Sequence, residues 1–153
     1  LKADVWVTYG DIHLAINRRP VRIVGYGMYG NVQNSDQLST ANRNLSNNLD
    51  VKRTPVAKNA AGLYLEAGYD ILSFWSQQRN ENLYVFARIE WYDSMYKTVG
   101  NISDNPRYER TVFNLGINYL PLSSIVLKAH YNWRTLGSGE QDETLALGIG
   151  FDF

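Results

Sequence analysis

The sequence predicts an all-β chain, an antiparallel up-and-down transmembrane β-barrel. Three observations predict it. Large apolar residues recur at every second position through most of the chain, the period of strand side chains. Aromatic residues collect at both ends of those stretches, with Leu, Ile, Val and Ala between them. The links between stretches differ in length from one end to the other.

Composition is consistent with this. Tyr supplies 11 and Gly 12 of the 153 residues, and Pro only 4. Tyr-rich sequence favours strands. The mean hydropathy of -0.34 is polar, yet only alternate residues of a barrel strand touch lipid. No apolar run is long enough for a transmembrane helix. The 15 basic and 15 acidic side chains balance, which gives no argument for nucleic acid. Cysteine is absent, so disulfides, thiol nucleophiles and thiolate metal sites are excluded. The sequence has neither an initiator Met nor a signal peptide, and is expected to be a processed protein or a piece of one.

The elements follow in chain order. VWVTY alternates on odd positions and IHLAIN on even ones (Ile12, Leu14, Ile16). The phase flips at Tyr9-Gly10-Asp11, which predicts a tight turn or a bulge there. Val21–Asn31 is a strand whose outer face is weakened by Gly25 and Gly27. Ser35–Asn48 is polar and predicts a short helix begun by Ser35 or Asp36, within a solvated loop or one folded into a lumen. GLYLEAGYDIL sets Leu63, Leu65, Ala67, Tyr69 and Ile71 against Tyr64, Glu66, Gly68 and Asp70. LYVFARIEWYD sets Leu83, Val85, Ala87, Ile89 and Trp91 against Tyr84, Phe86, Arg88, Glu90 and Tyr92. TVFNLGINY sets Phe113, Leu115, Ile117 and Tyr119 against Val112, Asn114, Gly116 and Asn118. SIVLKAHYNWR sets Ile125, Leu127, Ala129, Tyr131 and Trp133 against Val126, Lys128, His130, Asn132 and Arg134. LALGIGFDF sets Leu145, Leu147, Ile149, Phe151 and Phe153 against Ala146, Gly148, Gly150 and Asp152.

The links around Asn17–Pro20 and Leu120–Ser123 are short, that around Ser73–Glu81 medium, and those at Asn31–Ala60, Tyr96–Glu109 and Leu136–Glu143 long and polar. Short turns at one end and long loops at the other are a property of outer-membrane barrels. Trp91, Trp133, Phe113 and Tyr29 would form one aromatic girdle, and Tyr69, Tyr119, Phe151 and Phe153 the other. The apolar face then meets lipid and the other face a lumen. Arg22, Arg88, Lys128, His130 and Arg134 fall on the lumen side, with Glu66, Asp70, Glu90 and Asp152. Such a set either attracts anions or pairs off between strands to hold the wall together. His13 and His130 have no companions at metal-ligand spacing, and no nucleophile adjoins a base, so neither a cofactor nor an enzyme is expected.

Gly148, Phe151 and Phe153 resemble the carboxy-terminal sorting signal of bacterial outer-membrane barrels, with Ala146 departing from the polar residue preferred before the Gly. That resemblance implies insertion by the barrel-assembly machinery into the outer membrane of a Gram-negative bacterium. A finer resemblance is carried by Tyr9–Gly30, Pro55–Leu72 and Tyr84–Ser94. There Glu66, Gly68 and Tyr69, followed by Phe86, Arg88, Glu90, Tyr92 and Asp93, are similar to two strand motifs of the phosphate-selective porin O/P-like group. It implies a passive channel of about 16 strands, trimeric, passing small ions and solutes including phosphate-like anions. With about seven or eight strands readable from alternation, the chain then corresponds to the carboxy-terminal half. A small closed eight-strand barrel with a structural or adhesive role, its lumen filled by Tyr64, Tyr84, Phe86 and Tyr92, is the alternative. A soluble β-sandwich binding module is a third, opposed by the outward Leu/Ile band.

Overall fold

A computed structural model describes residues 4–44, 54–75 and 80–151. Seven strands form one antiparallel sheet in sequential order: β1 (Val7–Arg18), β2 (Val21–Val32), β3 (Asn59–Asp70), β4 (Asn82–Lys97), β5 (Glu109–Leu122), β6 (Ile125–Leu136) and β7 (Gln141–Phe151). The sheet is open, since β1 and β7 each pair with one neighbour only. No second sheet faces it among the described residues.

The alternation places the side chains as the sequence predicts through the central strands. Leu115 and Ile117 on the apolar face of β5 are 46% and 44% exposed, while Asn114 and Asn118 on the other are 2% and 8% exposed. Tyr84 and Phe86 of β4 are buried on that same polar face. A single sheet can bury one face without a second layer only by curling, so the polar face is the concave one. The polarity is the reverse of a water-soluble fold, where the apolar face is the covered one.

Three stretches depart from the alternation. β1 pairs with β2 without interruption from Val7↔Val32 to Arg18↔Val21, so neither a turn nor a bulge forms at Gly10–Asp11. The phase change is one of composition: Val7 and Tyr9 lie on the same face as Asp11 and His13, where the strand runs beyond the apolar band. Ile71 is not on β3. The strand ends at Asp70, whose carboxylate accepts from Leu72 N–H and caps a 3-10 turn over Ile71–Phe74. The link expected to be long at Leu136–Glu143 is a four-residue turn over 137–140, closed by a 2.8 Å bond from Leu136 N–H to the Glu140 carbonyl with Gly139 at φ +87°.

The helix expected from Ser35 is α1 (Ser35–Arg43), entered through Asn34 in the left-handed region. Ser39 fixes it to the chain returning towards β3: its hydroxyl donates to the Val56 carbonyl and accepts from Val56 N–H. The rest of the predicted stretch, through Asn48, lies outside the described residues. The links at this end bind one another. Thr54 meets the Tyr108 hydroxyl at 3.4 Å, Arg107 pairs with Glu140 at 2.8 Å, and Ala57, Met95 and Ile102 form a small apolar cluster with Tyr108 against it.

The opposite end is tied by Asp70. Its fully buried carboxylate accepts from Arg19 Nε (2.7 Å), Asn82 Nδ2 (2.8 Å) and Leu83 N–H (3.0 Å), joining the β1–β2 turn to the start of β4. Removing one partner of a buried ion pair costs about 3–5 kcal/mol. Asp70→Ala should lower the urea midpoint of the refolded protein accordingly, and an unchanged midpoint would refute this role.

Candidate functional site

The concave face is laid out by register. Starting at the short-turn end, one cross-strand row is Asp70, Tyr84, Asn118, Lys128, Gly148. The next is Arg22, Gly68, Phe86, Gly116, His130, Ala146. A third is Glu66, Arg88, Asn114, Asn132, Thr144. The fourth, nearest the long loops, is Tyr64, Glu90, Val112, Arg134, Asp142.

The second row alternates large with small. The Phe86 and His130 rings meet at 6.4 Å across Gly116, which leaves them room. In the third row Arg88 lies between two carboxylates, 3.7 Å from Glu66 Oε2 and 2.8 Å from Glu90 Oε1. Asn114 Nδ2 donates to the same Glu90 oxygen at 3.1 Å. In the fourth row Arg134 holds Asp142 with both Nε and Nη2.

These contacts sort the sequence-predicted residues. Arg88 is shared by the two carboxylates of Glu66 and Glu90, a cluster with more negative than positive charge, and Arg134 is paired with a partner on the next strand. Asp70 lies in the strand end predicted, but its carboxylate is buried and tied to the turns instead of facing open space. Arg22 and Lys128 are exposed and make no ion pair among the described residues. Both lie on the two rows nearest the short turns, with His130 in the Arg22 row. Gly148 and Phe151 occupy β7 as expected; Asp152 and Phe153 lie outside the described residues.

Two charged residues of the concave face, Arg110 and Asp142, escape the sequence reading. Arg110 precedes the stretch read as a strand, yet it shares the face of Val112 and Asn114, over the Tyr92 ring at 5.7 Å and donating to its hydroxyl at 3.2 Å. Extending the alternation back by two residues would have found it. Asp142 likewise precedes LALGIGFDF, and the period of two would have placed it.

The convex face carries the aromatic residues at its ends. Phe113 and Trp133 lie 5.6 Å apart, and Trp91 and Tyr29 both meet Tyr96, at 5.8 and 6.3 Å, on the loop side. Tyr69 and Phe74 lie 5.3 Å apart on the turn side. Their polar atoms reach carboxylates: Trp91 Nε1–H donates to Glu109 at 3.0 Å, Tyr119 O–H to Glu81 at 3.0 Å and Tyr131 O–H to Glu143. No helix among the described residues is long and apolar enough to cross a membrane. No group of metal-ligating side chains is present among them.

No family model matches the chain, and no solved structure matches it. It is similar to an uncharacterized protein of Aquifex aeolicus (strain VF5), 34% identical over 74 residues. Those residues are 48% of this chain and span only 16% of that relative's length.

Proposed function

We propose that this chain is part of an outer-membrane β-barrel porin, a water-filled channel for passive diffusion of small hydrophilic solutes and ions, with a preference for anions. The observation that carries the reading is the reversed polarity of the sheet. A continuous Leu, Ile, Val and Phe surface lies outward and exposed, while ion pairs and amides line the enclosed side. Water would penalise that outer surface, whereas hydrocarbon favours it. The aromatic groups at both ends of the band support the same placement, with rings in the interface and polar atoms turned to carboxylates. Arg22 and Lys128, which have no carboxylate partner among the described residues, support anion preference. The motif resemblance to phosphate-selective porins points the same way.

A small closed barrel is favoured by a different observation. Tyr84, Phe86, Asn114 and Asn118 are buried by their own concave-face neighbours, as in a lumen filled with side chains. Planar-bilayer recording under a salt gradient separates the two. The porin reading expects large stepwise currents with an anion-selective reversal potential. Inserted, heat-modifiable protein that stays silent would leave the filled barrel. The outer face has its own test: Leu115→Arg should destabilise the folded protein in lipid by about 2–4 kcal/mol, the penalty for a midplane cation facing hydrocarbon. A variant as stable as the parent would place that face in water.

A further inference from the structure

The concave face changes character from its turn side to its loop side. Carried on from Tyr64 to β2 and β1, the fourth row adds Tyr26 and His13. One step nearer the long loops stand Asp11, Met28, Gly62, Tyr92 and Arg110. Rings thus lie side by side on neighbouring strands. The Tyr26 and Tyr64 centroids are 5.9 Å apart with their planes 31° apart, and His13 meets Tyr26 at 4.6 Å. Tyr92 stands diagonally from Tyr64, with only Gly62 opposite it on β3. Tyr26 and Tyr64 are on inner strands and half-buried, and Tyr92 is 37% exposed. Nearer the short turns, Tyr84 and Phe86 are 8% and 6% exposed. Aromatic side chains fill the turn side and line the loop side.

Charge gives these loop-side rings no anion to hold. In the two rows, the carboxylates of Asp11, Glu90 and Asp142 outnumber the guanidiniums of Arg110 and Arg134, and Arg134 is held by Asp142. The third row adds one charge of each sign, Glu66 and Arg88. Arg22 and Lys128 lie in the two rows nearest the short turns. What the loop side offers is flat apolar surface with fixed polar groups at its rim. The Glu90 carboxylate lies opposite Tyr64. The Arg110 guanidinium lies 5.7 Å from the Tyr92 ring centre and donates to its hydroxyl, while Arg110 Nε has no hydrogen-bond partner among the described residues. Aromatic faces with a few placed donors and acceptors are the ordinary make-up of a small-molecule site.

We propose, resting on the channel reading above, that Tyr26, Tyr64 and Tyr92 form a subsite for a neutral hydroxylated ring, a pyranose. Such a solute has an apolar C–H face to lay on the tyrosines and a rim of hydroxyls that both donate and accept. Glu90 accepts from those hydroxyls and Arg110 donates to them. The rigid Tyr rings supply contact area at low cost in side-chain entropy. The cations of the turn side then bias which ions pass, and the rings of the loop side select the uncharged solute.

The test adds maltose to the natural protein in planar bilayers, with sorbitol as a polyol that has no ring. Maltose should reduce the ionic current in a saturable way, and sorbitol should not. Tyr26→Ala with Tyr64→Ala should raise the half-blocking maltose concentration roughly tenfold, while Tyr26→Phe with Tyr64→Phe should leave it nearly unchanged. If the alanine pair fails to fold, Tyr26→Leu with Tyr64→Leu keeps the bulk without the flat faces, and the same weakening is expected. Equal block by sorbitol, or equal loss in the phenylalanine pair, would overturn the assignment to ring faces. Stepwise currents untouched by maltose would overturn the subsite and leave the channel. Silent bilayers with calorimetric maltose binding in detergent, lost in the alanine pair, would sink the channel and leave the subsite standing.

Discussion

Gly116→Val should abolish the folded, heat-modifiable form of the protein. A Cβ at position 116 would lie 2.5 Å from His130 Cβ, 2.6 Å from the Ala129 carbonyl oxygen and 2.9 Å from His130 Cα. Two of these are backbone atoms of β6, so β5 and β6 would have to separate and lose ladder bonds. Overpacking alone costs about 1–3 kcal/mol, and broken pairing adds to it in a protein whose whole margin is about 5–15 kcal/mol. His130→Gly in the same chain should not restore folding, because the Ala129 oxygen and the His130 Cα remain. Gly10→Ala is the control: a Cβ there meets nothing within 4 Å, and surface changes of that kind stay within about 0.5 kcal/mol. Gel mobility before and after heating reads all three. A folded Gly116→Val protein would show that the concave face is laxer than its register implies.

Neutralising Arg22 and Lys128 together, as Arg22→Gln and Lys128→Gln, should move the reversal potential away from anions. A unit charge acting on a passing ion at about 5 Å in water contributes about 0.8 kcal/mol, roughly a fourfold bias. The shift should shrink as salt rises and the screening length contracts. Arg88→Gln acts differently. It leaves Glu66 and Glu90 without their shared cation, so its main effect should be lower stability, with a smaller shift of the reversal potential than the change at Arg22 and Lys128. The double change at Arg22 and Lys128 should leave stability nearly intact, since neither side chain makes an ion pair among the described residues. Equal selectivity shifts from all three arginines and the lysine would show that ion pairing does not discount Arg88 and Arg134.

The faces of the central strands were legible because each touches two different surroundings, and a period of two records that directly in Leu83–Asp93, Thr111–Tyr119 and Ser124–Arg134. Partners were not legible in the same way. Parity puts Arg88 and Glu66 on one face, but only register sets them opposite each other, and the link over 71–81 does not fix register by its length. Asp70 shows the same limit: its face follows from alternation, its burial from the 3-10 turn and the Arg19 side chain. At β1 the pattern misleads, because Val7 and Tyr9 are apolar on the face where Asp11 and His13 are polar, while the pairing with β2 runs on unbroken. The turn at 137–140 looks long in sequence because Gln141–Glu143 is polar, yet these residues belong to β7, which is polar on both faces at its start. Arg110 was lost to the same effect at the start of β5.

In the proposed barrel β6 has lipid on one side and water on the other. The chain has no cysteine, so single cysteines from Leu127 to Arg134 can each carry a nitroxide in the natural protein, reconstituted in bilayers. Oxygen reports access to lipid and a nickel chelate access to water. Oxygen maxima are expected at Leu127, Ala129, Tyr131 and Trp133, and nickel maxima at Lys128, His130, Asn132 and Arg134, in opposite phase. Nickel access at the odd positions, or the absence of any two-residue period in the oxygen signal, would contradict it.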